Sequence, residues 1–489
     1  MTEPPRPARR VVAVSNRVPD PAAGAQAGGL AVALGGLMQR RGGLWFGWSG
    51  RVSDDTALHR HNFDGVDYVT TDLTQDEHDQ YYAGFANSTL WPLLHSMPEL
   101  MSFDRQNAAV YQAVNAKLAT ALVPLLRGTD LVWVHDYHLL SLPALLRTQG
   151  VTVPIGFFLH VPFPSPEMLA TVPVAAGLVQ DLLAADLIGF QTANDRDNFA
   201  AAAVTLAGAV RTSGNALTSG GRRVRLGVFP VEIDAQIFAD TAAREANSPE
   251  AVRLRESLAG QAMILGVDRM DPTKGLPQRL AAYQCLLESR PEWRRRVTFL
   301  QIAAQSRTEV AAYRDLREAI EQEAGHINSL FSEPDWTPLR LMARAGQRET
   351  VAGMMRLARV GLVTPLRDGM NLVAKEYVAA QDPADPGVLI LSRFAGAAQQ
   401  LHAALVVNPH DIEGLADALH RALTMPLAER RRRWHACWDV LRDTSALAWG
   451  MEFAAVLLRA ARDAAGPERH GPGTPDLRGQ DRPSALPPL

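Results

Sequence analysis

The sequence predicts an α/β protein built from two tandem, doubly wound domains that face a cleft. Three observations predict it. Short apolar runs recur along the chain, each stopped by polar, Gly or Pro residues and followed by a helical stretch. The series pauses at Phe229-Pro230-Val231-Glu232-Ile233-Asp234, crosses a polar, alanine-rich bridge from Ala235 to Gly260, and restarts at Ala262. Neither series carries GxGxxG after its first strand, so the dinucleotide fingerprint is missing. In open sheets of this kind, ligands bind outside the carboxyl ends of the strands.

Composition narrows the class. The 489 residues are 47% hydrophobic and 21% charged, ample for two large cores. A formal net charge of −3 supplies no general drive toward nucleic acid or an anionic membrane. No uncharged apolar stretch approaches the length of a membrane span. The two cysteines, Cys285 and Cys437, make neither a disulfide framework nor a CxxC. The apolar run near the N-terminus is too short for a signal peptide, and a cytoplasmic enzyme is expected.

In the first series, Val11 to Ser15 reads as a buried strand ended by Asn16 and Arg17. A Pro/Gly/Ala-rich loop from Val18 to Ala27 follows, then Gly28-Gly29 opening a helix from Leu30 to Arg40. The double glycine lets a phosphate or sugar approach the backbone. Arg17 at a strand's carboxyl end suits a bidentate phosphate contact, or else a surface ion pair. Two aromatic groups come next, Leu44 to Gly50 and Tyr81 to His95, whose rings can stack on sugars or simply fill the core. The strand Asp130 to Val134 delivers His135-Asp136-Tyr137-His138 to the same edge. The His-x-x-His spacing has no third ligand near it, so no metal is expected, and Asp136 reads better as a hydroxyl-binding carboxylate. The strand Ile155 to Leu159 ends in His160 before two prolines, and Leu187 to Phe190 ends in Gln191-Thr192.

In the second series, the strand Ala262 to Val267 leads into Asp268-Arg269-Met270-Asp271-Pro272-Thr273-Lys274-Gly275 and a helix from Leu276 to Ser289. Val297 to Ile302, Val360 to Thr364, Val388 to Leu391 and Leu405 to Pro409 read as further strands. After Val360 to Thr364, the breakers Pro365, Asp368 and Gly369 precede a helix that begins after Asn371. The helix's first-turn N–H groups favour an anion, and Asp368 either faces a sugar or caps the helix. Glu376, about a turn and a half in, could reach a ribose.

These stretches carry a resemblance. SNR with GGL, GGLWFGWSG, YYAGFANSTLWPLLH, WVHDYHLL, GFFLHVPFPSPE, GFQTANDRDNF, DRMDPTKGLPQR, GLVTPLRDGMNLVAKEYVAAQDP and LSRFAGAAQQL occur in that order across Val11 to Ala465. They closely resemble the trehalose-6-phosphate synthase family of retaining transferases, glycosyltransferase family 20. The resemblance implies the GT-B fold: an acceptor domain over residues 1–234, a nucleotide-sugar domain over 235–440, and a helix near 441–465 packing back on the first domain. From Gly466 on, Pro, Gly and charge dominate, and a disordered tail over 466–489 is expected. It implies transfer of glucose from UDP-glucose to glucose 6-phosphate without cofactor or metal, with no nucleic acid or membrane partner. Assembly with further copies of the chain is left open.

Residue by residue, the resemblance implies that Arg269 and Lys274 bind the donor diphosphate. Asp368, Gly369, Met370, Asn371 and Leu372 would hold the donor glucose and phosphate, Glu376 the ribose, and Gly29 would let the first loop approach. Arg17, Tyr82 and Arg307 would clamp the acceptor 6-phosphate, Trp45 and Trp91 would pack its sugar, and Asp136 would bind its hydroxyls. His160 would contact the donor sugar, and with Arg269, Lys274 and Asp368 it makes up the expected catalytic group. Front-face transfer follows, with the departing phosphate oxygen as base, because no paired carboxylates of the glycosidase kind are evident. Three departures stand out: DRMDPTKG for the family's ERLDYSKG, Glu232 in FPVEID for FPIGID, and Ser96-Met97 after WPLLH. The last bears on the acceptor. Other donors (GDP- or ADP-glucose), other acceptors (glycerol 3-phosphate, a cyclitol phosphate) and a non-catalytic sugar-phosphate sensor are the competing expectations.

Overall fold

The structure is a computed structural model that describes residues 9–20, 29–55, 57–307 and 310–465. The expected loop is therefore described only at Val18 to Asp20, and the expected tail lies outside the described residues. Among the described residues there are two sheets, one of ten strands and one of six.

The six-stranded sheet is wholly parallel. Its spatial order is Leu339–Met342, Val297–Ala304, Ala262–Arg269, Val360–Val363, Val388–Ser392, Leu405–Val407. Counted within the domain this is 3-2-1-4-5-6, the doubly wound order in which the connection reverses between the first and fourth strands. The crevice at that reversal lies beyond Arg269 and Val363.

The ten-stranded sheet has a parallel centre in which Val11–Arg17 lies between Gly43–Val52 and Leu131–His135. Its own reversal therefore falls between the carboxyl ends of Val11–Arg17 and Leu131–His135. Antiparallel hairpins at both edges, His59–Phe63 with Val66–Leu73 and Val210–Thr212 with Ala216–Ser219 and Arg222–Val228, extend it beyond what apolar runs predict. The first strand does not stop at Ser15. A register shift between Ser15 and Arg17 carries the pairing on to Arg17.

Alternation along the first strand sends Val12 and Val14 into one core and Val11 and Ala13 into another. The second of these cores is closed by the last helix, Ala446–Ala465, whose Phe453 stacks on Trp133 with centroids 4.3 Å apart. Trp449 on that helix donates from Nε1 to the Phe229 carbonyl at 3.0 Å. The chain thus crosses between the two sheets twice, near Phe229 to Asp234 and again before Ala446. The aromatic stretch after Thr74 forms an unusual π-helix, His78–Leu90, entered through a capping box made by Thr74 and Glu77.

Candidate active site

Both reversal crevices open on one cleft, and the side chains there come from both domains. From the second domain, Lys274 follows the first strand and Asp368 the fourth. The Lys274 ammonium donates to Asp368 Oδ2 at 2.5 Å, and the Asn371 amide donates to the same oxygen at 3.0 Å. Asn371, at a positive φ of 75°, caps the helix Leu372–Ala380 by accepting from the Ala374 N–H at 3.2 Å. Asp368 is therefore not the cap; its carboxylate is directed to the lysine. Behind Lys274, the fully buried Arg279 donates to the Lys274 carbonyl at 3.1 Å and to Thr364 Oγ1 at 2.8 Å.

The donor loop meets the first domain through glycine. A Cβ on Gly369 would lie 2.1 Å from the His160 carbonyl oxygen, and one on Gly396 would lie 1.9 Å from the Gly369 carbonyl oxygen. A side chain on Gly369 would push the domains apart, and one on Gly396 would displace the Gly369 loop itself. Met370 is buried in a core of the second domain, and Leu372 packs against cores of both domains. Glu376 accepts from Arg348 at 2.9 Å. Burial pushes the Glu376 carboxyl up while Arg348 pulls it down, with a net upward shift.

On the first-domain wall, Asp136 follows the strand Leu131–His135 at a positive φ of 73°, a strained conformation for a residue with a side chain. It accepts from the His160 N–H at 3.2 Å. Burial pushes its carboxyl up to about 6, against the His160 and Tyr137 N–H groups and Arg307. His160 pairs ring to ring with His135, Nε2 to Nδ1 at 3.1 Å, and burial takes its imidazole down to about 3. At neutral pH the ring is an uncharged hydrogen-bonding group. The loop after His160 is pinned where the Phe163 N–H donates to Asp195 at 3.0 Å.

Arg307, from the second domain at φ 47°, reaches across the cleft. Its guanidinium sits 4.0 Å above the Trp91 ring and donates to the Tyr137 hydroxyl at 3.1 Å and to the Tyr313 hydroxyl. Burial opposes its charge, yet Tyr137, Tyr313 and Asp271 outweigh burial and raise its pKa. Tyr82 stacks on His138 with centroids 5.9 Å apart and leans on Trp48 at 5.3 Å. Arg17 is exposed at its strand's end, its side chain lying against Gly50. Arg269 is half exposed toward the cleft, 3.8 Å from Asp271. Gly29 begins the helix Gly29–Arg41.

Two expected sugar contacts are corrected. Trp45 is 1% exposed, in the core against the last helix, and its Nε1 donates to Ser15 Oγ at 2.8 Å. Strand alternation turns it to the far face and brings Trp48 toward Tyr82. Trp91 is not an open platform, because Arg307 covers its face and His95 its flank at 4.0 Å. The departure at Ser96-Met97 ends this segment with Ser96 at φ 58° and Met97 buried. Sequence reasoning missed Tyr137, Tyr313, Trp48 and Asp271 as cleft residues. Tyr137 and Asp271 stand inside the quoted motifs, whereas nothing marks Tyr313, six residues past Arg307. Among the described residues, no group of three metal-ligating side chains forms, and no helix is long and apolar enough to cross a membrane.

The chain is similar to known proteins over most of its length. The model of "Glycosyltransferase family 20" matches residues 13–459. A trehalose-6-phosphate synthase of Sinorhizobium fredii is 45% identical over 450 residues, covering 91% of this chain and 97% of that protein. The crystal structure of an α,α-trehalose-phosphate synthase (UDP-forming) from Burkholderia vietnamiensis superposes with a TM-score of 0.91 at 44% identity, covering 94% of this chain and 98% of that one. Another UDP-forming synthase, from Burkholderia xenovorans in complex with glucose 6-phosphate, superposes at 0.89 and 44% identity, covering 92% of this chain and all (100%) of that one.

Proposed function

The chain belongs to glycosyltransferase family 20, and from that premise we propose how its cleft performs the reaction. It is a glycosyltransferase of the two-domain GT-B fold that moves glucose from UDP-glucose to glucose 6-phosphate, giving trehalose 6-phosphate and UDP. The observation that carries the site assignment is the Lys274–Asp368 contact at the second sheet's reversal, with Gly369 seated on the His160 carbonyl. It joins a cation for the diphosphate, a carboxylate for sugar hydroxyls and the opposite wall at one point.

In this reading the donor diphosphate takes over Lys274 from Asp368 and recruits the half-exposed Arg269. Two cations then neutralise the leaving group as its charge develops. Asp368, released, accepts from the glucose hydroxyls; the N–H groups of Gly369, Met370, Asn371 and Leu372 face phosphate and sugar, and Glu376 holds the ribose. Gly29 leaves room for the donor at the opposite helix start. Arg17, Tyr82 and Arg307 hold the acceptor phosphate, and Asp136 a hydroxyl of its sugar. Neutral His160 donates a hydrogen bond rather than a proton. The acceptor hydroxyl enters on the face from which the diphosphate departs, a departing oxygen takes its proton, and the anomeric configuration is retained. The reading includes a cytoplasmic setting, consistent with the free thiols of Cys285 and Cys437.

The test is product formation from UDP-, GDP- and ADP-glucose, each with glucose 6-phosphate or glycerol 3-phosphate, with a chelator present. UDP release coupled to an α,α-linked disaccharide phosphate is expected. Product with glycerol 3-phosphate alone, or donor binding without turnover in any pair, would overturn the reading.

A further inference from the structure

Asp271 stands between a cation assigned to the donor diphosphate and one assigned to the acceptor phosphate. It is fully buried in the loop between Arg269 and Lys274. One carboxylate oxygen, Oδ1, is used by its own turn, accepting from the Thr273 N–H at 3.1 Å and Oγ1 at 2.9 Å. The other, Oδ2, accepts from the Tyr313 hydroxyl at 3.1 Å and faces two guanidinium groups, Arg307 at 3.7 Å and Arg269 at 3.8 Å. Arg269 belongs to the donor side and Arg307 to the acceptor side. Burial would push the Asp271 carboxyl up, but Arg307, Arg269 and Lys274 outweigh burial and hold it at about 2. The carboxylate is thus a fixed negative charge in a water-poor site, where charges at this range act strongly on one another.

We propose that Asp271 is a positioning residue that couples the two phosphate subsites, its Oδ2 serving as the shared counter-ion of Arg269 and Arg307. The consequence has a definite sign. Each guanidinium neutralises part of the carboxylate. When Arg269 is removed, the whole negative charge falls on Arg307 and weakens its hold on the acceptor phosphate, although Arg269 itself does not touch the acceptor. A bound donor diphosphate that draws Arg269 away acts in the same direction, so donor and acceptor affinities are linked through one oxygen. The inference rests on the assignment of Arg307 to the acceptor phosphate and Arg269 to the donor.

Calorimetric titration of glucose 6-phosphate, without donor, into the full chain and its variants tests it. Arg269→Ala is expected to weaken glucose 6-phosphate binding on the order of tenfold. In an Asp271→Asn background, the same Arg269→Ala change is expected to alter binding less than twofold. Tyr313→Phe keeps the Asp271 charge, so the Arg269→Ala effect must persist there; Asp271→Ser, which keeps an acceptor for the Thr273 N–H without the charge, takes the place of Asp271→Asn should that variant fail to fold. An equal effect with and without Asp271 would mean that Arg269 acts on the acceptor directly, and its loss in Tyr313→Phe would move the coupling to the hydroxyl; either result overturns the proposal. If the parent chain binds glucose 6-phosphate but Arg307→Ala binds it equally well, the site assignment itself falls and takes the coupling with it.

Discussion

Two of the lysine–carboxylate pairs among the described residues, Lys274–Asp368 and Lys375–Glu232, contrast in what can reach them. Lys274 meets Asp368 at 2.5 Å, with both side chains about one-seventh exposed at the cleft (14% and 15%). Lys375 meets Glu232 at 2.7 Å with its own side chain at 0% exposure, and donates also to the Val231 carbonyl at 2.7 Å. Glu232 further accepts from Gln400 at 2.8 Å and Thr444 at 3.3 Å. This second pair fastens both chain crossings between the domains to the helix that carries Glu376. In the proposed reaction an arriving diphosphate replaces Asp368 as the partner of Lys274. Nothing can replace Glu232. A pair that a ligand can break serves the reaction, and a pair that it cannot reach serves the geometry.

The sharpest way to break the comparison is to unpair the buried lysine. Burial lowers the Lys375 pKa and Glu232 draws it back up. Removing one partner of a buried pair typically costs about 3–5 kcal/mol. Glu232→Gln is therefore expected to lower stability by roughly that amount in urea unfolding, and Glu232→Gln with Lys375→Met to restore most of it. A double variant as unstable as the single one would show that the pair is not the cause.

Lys274→Met is the matching change at the cleft. Losing one preorganised charge at a leaving group costs roughly 10²–10³ in rate. A fall of that size in kcat/KM for UDP-glucose is expected, with an unfolding midpoint close to the parent's. A large loss of stability with little loss of rate would reverse the roles given to the two pairs.

The contrast also explains what the sequence could and could not reveal. The places of Lys274, Asp368 and Gly369 are readable because each stands where a strand gives way to a breaker and a helix. Neither pairing is, because 94 positions separate Lys274 from Asp368 and 143 separate Glu232 from Lys375, and only the packing joins them. Glu232 stood out merely as a charge near a junction. Trp45 and Trp48 show a second limit: both are aromatic in one strand, and a register difference of one residue decides which faces Tyr82. Trp91 shows a third, since its ring lies in the cleft as expected but its face is occupied by an arginine from the other domain.

Asp136 supplies the smallest effect and sharpens the comparison, as a cleft carboxylate with no lysine bound to it. Its pKa is raised from 3.8 to about 6 by burial. The folded state therefore holds this proton more tightly than the unfolded chain does. The resulting stability is fully present below the ordinary carboxylate range and is lost as pH rises through about 6. Water in the cleft screens part of the effect, so the change is on the order of 1–2 kcal/mol. Asp136→Asn abolishes the titration. Between pH 4.5 and 7 the parent is expected to lose that much stability relative to Asp136→Asn, read from urea midpoints at the two pH values. Saturating glucose 6-phosphate should shrink the difference, because a sugar hydroxyl donating to the carboxylate favours its charged form. Parallel pH dependences for parent and variant would mean that Asp136 is ionised in the empty cleft without any such help.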